Sequence, residues 1–532
     1  MKSSQSSALP IFFYCALALS LSLGILRFNY FITPDGVYYA RAGESLLAGR
    51  GISVNAGEPY FNHPPFYPLA IGLLNLFTKN LELAGHLISV AAFSLTVIPL
   101  FLLAKEVYSA RAAHWASLLY LTNEFLLNYS NAVLTEPLFT LLIMTNLYVI
   151  HKVLRKKVHS AWPGVLTGFL SGLAYLTRPE GVLFFAVGGA SLFFLSPKGS
   201  LPRFRTVLAS IAIFSVFLVP YVCFVEKYLG RPYLSGLAPA NVLYRHLDLS
   251  HPGQWRDVKK TLDGLTPDKS DLKIWQLVRE FGTAHFRSQD LLFFLREGIA
   301  SFKWRFLDLA QILFRGLGFL LVAASFLARP WTLERKKSEV LLLGFLLPLI
   351  SYVFLFFDVR HFFTFLPLFL IWMGNGIEAL SRRLSGVFVW GERGRAGFAS
   401  ALCVLFVMIS FFRLHRNLSH LTLPVEQREL GLWMKANLPE IERERVAAYT
   451  PFVNFYSGAK ILKLPYVEGL EDLFIYLRTY QTKYFVVSEK MDSHYQESYG
   501  SLLDEARPLP AELVRVRTAS GRKKTVLFKL AD

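Results

Sequence analysis

Leu83–Ala104 reads LAGHLISVAAFSLTVIPLFLLA, and Lys105 follows directly. No Asp, Glu, Lys or Arg interrupts the stretch. Coiled as an α-helix it is about 33 Å long, enough to cross the roughly 30 Å hydrocarbon of a bilayer. Ten more apolar runs surround it: Ile11 to Leu26, Ala112 to Leu127, Ala132 to Ile150, Trp162 to Leu176, Gly181 to Leu195, Val207 to Val225, Leu309 to Leu327, Val340 to Phe357, Phe362 to Gly376 and Phe398 to Phe412. Eleven spans are therefore expected. The whole chain agrees. Of 532 residues, 53% are hydrophobic and only 18% charged, with mean hydropathy +0.38. Soluble domains carry about 25% charged residues. Disorder is excluded by this apolar load, and so is a water-soluble fold for the whole chain.

The net charge of +18 is a topology signal. Lys and Arg crowd cytoplasmic loops, and here they crowd alternate loops: Lys105 and Arg111, Lys152 to Lys157, Lys198 to Arg205, Arg329 to Lys337, and Arg382 to Arg395, with Lys2 in the N-terminal tail. The other loops carry Asp35, Glu44, Glu58, Glu136, Glu180 and Asp358. This predicts a multi-pass inner-membrane protein with a cytoplasmic N-terminus and, after an odd number of crossings, an extracytoplasmic C-terminus. Because the basic residues form no continuous stripe, nucleic acid is not an expected partner. Leu26-Arg27-Phe28-Asn29-Tyr30 is too bulky for a signal-peptide cleavage site, so the first run reads as an anchor. Cys15, Cys223 and Cys403 each lie in an apolar run and suggest neither a metal site nor a disulfide framework.

The expected division is a transmembrane domain over 1–414, with outer loops 27–82 and 226–306, and a small extracytoplasmic α/β domain over 415–532. In the latter, Gln427 to Asn437 and Glu471 to Tyr480 read as helices. Arg445 to Thr450, Lys483 to Ser488 and Thr525 to Lys529 read as strands, from their β-branched and aromatic content. Phe66 to Phe77 is apolar but too short to span, which predicts an interfacial or re-entrant helix.

Four polar clusters fall where spans meet the outer face: Asp35; Thr135-Glu136-Pro137; Thr177-Arg178-Pro179-Glu180; and Asp358-Val359-Arg360-His361. Polar groups at membrane depth are costly and mark cavities or substrate paths. A carboxylate beside basic groups suits one chemistry in particular. The acid takes a proton from an attacking hydroxyl while Arg and His hold a phosphate leaving group. Arg315, several residues inside an apolar run, is a further candidate. Simpler readings stand beside these. Asp35 follows Pro34 and suits a helix N-cap or first turn, and Glu136 suits a helix's first turn. Arg178 can pair with Glu180, and Arg360 with Asp358 or with lipid headgroups. His63, before two prolines, can be a packed loop residue.

Asp35, then Tyr38, Ala42, Leu46-Leu47 and Gly49, resembles the first outer loop of GT-C glycosyltransferases. So do His63-Pro64-Pro65-Phe66-Tyr67, Leu134-Thr135-Glu136-Pro137-Leu138, Leu176-Thr177-Arg178-Pro179-Glu180-Gly181, and Arg360-His361-Phe362 followed by Pro367. The resemblance is to the protein O-mannosyltransferase and lipid A aminoarabinose transferase branch, and it runs from about Ile11 to Glu378. Many bacterial members carry a small outer domain similar to the one expected here. The resemblance implies a GT-C-like helical membrane fold and transfer of one sugar, with inversion, from a polyprenyl-phosphate donor to a lipid, glycan or protein acceptor outside the cytoplasm. It implies Asp35 as catalytic base and Glu136 as the second acidic site. Arg178, Arg360, His63, His361 and Arg315 would hold the donor phosphate, and Tyr38, Tyr39, Glu180 and Asp358 would line the pocket. Gly36 and Asn62 stand where members of the family place further acids, so no metal ligand and no cofactor is assigned. A flippase for a lipid-linked saccharide, or a ligase of whole lipid-linked glycans, would share these features. The first would need internal repeats with helices broken near the midplane, and the halves show none. The loop 226–306 is expected to set acceptor choice.

Overall fold

The computed structural model describes residues 7–55, 58–155, 161–196, 201–230, 232–236, 306–351, 358–467, 469–521 and 523–531. Most of the outer segment 226–306 lies outside them. In chain order the helices are α1 (Ala8–Asn29), α2 (Pro34–Leu47), α3 (Phe66–Thr78), α4 (Leu81–Val107), α5 (Ala110–Thr122), α6 (Glu124–Tyr129), α7 (Glu136–Arg155), α8 (Trp162–Tyr175), α9 (Gly181–Phe194) and α10 (Leu201–Leu229). Then follow α11 (Phe306–Ile312), α12 (Leu317–Leu327), α13 (Leu333–Gly344), α14 (Phe362–Val387) and α15 (Glu392–Ser419). The C-terminal helices are α16 (Val425–Asn437), α17 (Phe452–Ser457), α18 (Leu470–Thr479) and α19 (Ser493–Tyr499).

Two compact units result, and they interleave along the chain. Among the described residues, the first comprises 7–30, 62–236 and 306–421, and the second comprises 31–61 and 422–531. The segment Phe31–Phe61 thus groups with the C-terminal chain rather than with the helical bundle.

The first unit is an all-helical bundle. Among the described residues six helices are long and apolar enough to cross a membrane, or seven if the bent pair around Leu313 is one span. Helix α14 is its axis, with 89% of its apolar window buried, while the windows of α10 and α15 are only 17% and 22% buried. These outer helices expose Phe204, Leu208, Val216, Val219, Met408, Phe411 and Phe412. Apolar surface on that scale, along helices long and apolar enough to cross a membrane, suits contact with lipid. The chain is an integral membrane protein.

Lipid tails supply no hydrophobic drive between helices, so small residues and buried hydrogen bonds hold the bundle together. Gly164 on α8 is so close to α10 that a Cβ there would lie 2.0 Å from the Thr206 carbonyl oxygen. Thr140 donates to Thr364 at 3.1 Å, Asn146 to Ser171 at 2.8 Å, and Asn375 to Ser325 at 2.8 Å. The basic loop residues do more than mark topology. Arg111, Arg382 and Arg395 surround the buried Glu378, Lys152 pairs with Glu106 at 2.7 Å, and Arg335 pairs with the buried Glu339.

The second unit contains a five-stranded sheet: β1 (Arg445–Ala448), β2 (Lys460–Lys463), β3 (Tyr484–Ser488), β4 (Leu513–Ser520) and β5 (Lys524–Leu530), in the order β2-β1-β3-β5-β4. β1 runs parallel to β2 and β3; β5 runs antiparallel to β3 and β4. Period-two alternation splits the strand side chains between two cores. Phe485, Val487 and Phe528 pack with Leu473, Leu477 and Tyr495 from α18 and α19. Val486 and Leu527 pack on the other face with Leu430, Met434 and Val453 from α16 and α17. The small α/β domain is therefore a helix–sheet–helix sandwich.

Candidate active site

Four chain segments bring the site of the first unit together. Glu136 opens α7, where its carboxylate faces the positive end of the helix dipole. Thr177 to Glu180 form the turn between α8 and α9. Asp358 caps a 3-10 turn over Val359–His361, from which α14 starts. The loop before α3 reaches the same turn, since the Phe66 amide donates to the Leu176 carbonyl at 2.8 Å.

Glu136 is 1% exposed. Its Oε1 receives Arg178 Nη1 at 2.7 Å and lies 3.6 Å from Arg360 Nε. Arg178 also donates to Thr135 Oγ1 at 3.2 Å and to Glu180 Oε1 at 3.2 Å, and its guanidinium lies over the Phe139 ring. Arg360 Nε is 3.6 Å from Asp358 Oδ2, while Asp358 Oδ1 accepts from the Arg360 amide at 3.0 Å. The Asp358 amide donates to His361 Nδ1 at 3.1 Å. That bond makes Nδ1 an acceptor, so in the neutral ring the proton sits on Nε2. Burial alone would raise the Glu180 carboxyl, but Arg178 and then His361 outweigh it and hold it at about 2.

Six residues singled out in the sequence (Glu136, Arg178, Glu180, Asp358, Arg360 and His361) thus form one network of acids and cations. Two are mutual partners in a way sequence neighbourhood did not suggest: Arg178 bridges Glu136 and Glu180 instead of pairing with Glu180 alone. The two arginines differ in access. Arg178 is 13% exposed and committed to both acids, whereas Arg360 is 27% exposed. His63 stands three residues before the Phe66–Leu176 docking point. Arg315 is not a membrane-depth arginine inside a continuous helix. It sits exposed, at φ 57°, in a break where the chain turns by 93° between α11 and the helix after it. Among the described residues it makes no ion pair.

Asp35, Tyr38 and Tyr39 belong to the second unit. Thr33 caps α2 by accepting from the Gly36 amide at 3.0 Å, which leaves Asp35 in the first turn and not at the cap itself. Tyr39 is buried, and Tyr38 stacks on Tyr60 with ring centroids 5.8 Å apart. Sequence reading missed Tyr129, whose hydroxyl feels Asp358, Glu136 and Arg360. A tyrosine closing an apolar run looks like an interfacial anchor, and nothing in its neighbours distinguishes it. Among the described residues no group of three or more His, Cys, Asp or Glu is placed to hold a metal ion.

A family model described as dolichyl-phosphate-mannose-protein mannosyltransferase matches residues 62–224, which include Glu136 and Arg178. The archaeal oligosaccharyltransferase AglB from Archaeoglobus fulgidus, solved with an inhibitory peptide and a dolichol-phosphate, shares the fold at TM-score 0.59 and 14% identity, over 91% of this chain and 70% of that one. The chain thus shares the fold of AglB, and its residues 62–224 are similar to that mannosyltransferase family. Arabinofuranosyltransferase AftD from Mycobacteria matches this chain at TM-score 0.53 and 12% identity, over all of this chain and 42% of its own. ArnT from Cupriavidus metallidurans, bound to undecaprenyl phosphate, matches at TM-score 0.45 and 13% identity over 98% of both chains. No curated protein matches in sequence.

Proposed function

We propose that this protein is a GT-C-type glycosyltransferase that moves a single sugar from a polyprenyl-phosphate donor to an acceptor hydroxyl on the extracytoplasmic side of the inner membrane, inverting the anomeric centre. The observation that carries this reading is the acid–guanidinium network of Glu136, Arg178, Glu180, Asp358, Arg360 and His361 at the ends of α7, α8 and α14. The dolichol-phosphate bound by AglB supports a lipid-linked donor. The alternation of basic and acidic loops supports a cytoplasmic N-terminus and an outward-facing network.

In this reading Asp35 accepts the proton of the acceptor hydroxyl. The oxygen bonds to the anomeric carbon from the face opposite the phosphate, and the bond from that carbon to the phosphate oxygen breaks. Its electron pair stays on the departing polyprenyl phosphate. Arg360 and the Nε2–H of His361 meet the growing negative charge there, a role in which fixed donors are worth several kcal/mol. Glu136 and Arg178 hold Arg360 in register. Because Arg178 is the less exposed of the two and holds its acids at 2.7 and 3.2 Å, it orients and is not the first contact of the phosphate.

The test uses the full chain in nanodiscs with a panel of polyprenyl-phosphate monosaccharides and candidate acceptors. Asp35→Asn should still bind bare polyprenyl phosphate yet lose turnover by about 100-fold or more. Arg360→Met should weaken that binding. Movement of the intact lipid-linked sugar across a liposome bilayer, with no bond cleaved, would refute the enzyme.

A further inference from the structure

The helix that carries Asp35 cannot hold its place unaided. Isolated helices of fewer than about 12–15 residues are marginal in water, and α2 has 14 residues, including Pro34, Gly36 and Gly43. Even so Val37, Tyr39, Ala40, Ala42 and Gly43 are buried. Attachments before, within and after it lead to one stretch of the second unit, more than 380 residues further along the chain.

Before the helix, Phe31 is edge-on to Phe452 and Tyr456, with centroids 5.0 and 5.8 Å apart. Within it, Arg41 Nη2 donates to the Asn454 carbonyl at 2.8 Å and the Ala459 carbonyl at 3.2 Å. Asn454 lies in the last turn of α17, where its carbonyl also accepts from the Gly458 amide at 3.0 Å and the dipole favours a cation. After it, Asn55 uses both ends of its amide on one residue: Nδ2 donates to the Ile461 carbonyl at 3.0 Å, and Oδ1 accepts from the Ile461 amide at 2.8 Å. Ile461 belongs to β2, an edge of the sheet, so the Asn55 side chain fills the place of a neighbouring strand. Glu58 locks this loop by accepting from Asn55 Nδ2 at 2.7 Å and pairing with Arg445 of β1 at 2.5 Å.

We infer that the C-terminal α/β sandwich is the mount of the helix bearing Asp35, and that Arg41, Asn55, Glu58 and Arg445 are positioning residues for transfer. None of the four is assigned to touch substrate. The inference rests on Asp35 being the base, as proposed above. It gives the sandwich a catalytic purpose: the acid's helix is held by sheet edge and helix end, not by its own turns. Misplacement of a reacting group by about 1 Å costs on the order of 100-fold in rate, so loosening the mount should act on kcat.

Asn55→Ala and Arg41→Met test this in the full chain, with Arg41→Lys as the conservative partner that keeps a cation. Hydrogen exchange reads the mount, polyprenyl-phosphate mannose and other members of the donor panel read turnover, and bare polyprenyl phosphate reads donor binding. We expect faster exchange of the Gly36–Leu47 amides in Asn55→Ala and Arg41→Met while the β3 and β5 amides stay protected. With this, kcat should fall tenfold or more, phosphate binding should change less than twofold, and Arg41→Lys should lie between. Unchanged exchange over α2 overturns the mount. Full turnover with a loosened α2, in a protein that Asp35→Asn inactivates, overturns the positioning role. Should Asp35→Asn itself stay active, the assignment of the base fails, and exchange alone decides whether the mount stands.

Discussion

Replacing Arg178 by Gln removes the shorter of two cationic contacts to a carboxylate that is almost wholly buried. The Glu136 side chain is 2% exposed; Arg178 sits 2.7 Å from its Oε1 and Arg360 3.6 Å away. Exposed ion pairs are worth under about 1 kcal/mol, but removing one member of a buried pair costs about 3–5 kcal/mol, because the other charge stays desolvated. Arg360 stays in place and offsets part of the loss, leaving an expected destabilisation of about 2–4 kcal/mol. Glu136→Gln in the same protein removes the orphaned charge. The double variant should therefore recover stability relative to the sum of the singles, with a coupling of about 2 kcal/mol or more. Reversible unfolding in mixed micelles, followed by the fluorescence of the nine tryptophans, measures all three variants. If Arg178→Gln shifts stability by less than about 0.5 kcal/mol, or the two substitutions are additive, the buried network is not what holds these helix ends together.

Two further outcomes follow from the same physics. The Glu180 carboxyl, held at about 2 against an ordinary 4.5, contributes stability that is complete above about 4.5 and is lost as pH falls through about 2. Thermal unfolding across pH 5 to 2.5 should therefore show a larger drop for the wild type than for Glu180→Gln, and equal slopes would contradict the ion pair with Arg178. Gly164→Leu drives a side chain into the Thr206 carbonyl of α10; it should lower the melting temperature by several degrees, whereas Leu at the open Gly189 position should be nearly neutral.

Much of the fold was legible because bilayer physics is one-dimensional along the chain. Length, apolar content and charged flanks are local properties, and they mark α1, α4, α7, α10, α14 and α15 directly. In the C-terminal part, helices α16 and α18 and strands β1, β3 and β5 fall where periodicity and β-branched content put them. Strands β2 and β4 were missed. Lys460-Ile461-Leu462-Lys463 is too short to show alternation, and Leu513-Val514-Arg515-Val516-Arg517 is rich in arginines that look like loop. The break at Leu313 to Gly316 was also hidden, since three successive left-handed residues, Phe314, Arg315 and Gly316, leave no trace in an apolar run but the glycine.

Chain chemistry alone named the acids and cations of the site, because a charged group beside an apolar run is conspicuous wherever it folds. Which acid meets which guanidinium is a different matter. Glu136 and Arg178 are joined across two helix ends, and α2 is fastened to Ile461 and Asn454, by contacts that span 42 to 413 residues. Such pairings depend on how helices and a sheet pack in three dimensions, where burial makes one specific partner far cheaper than water or any alternative, and only the tertiary structure decides them.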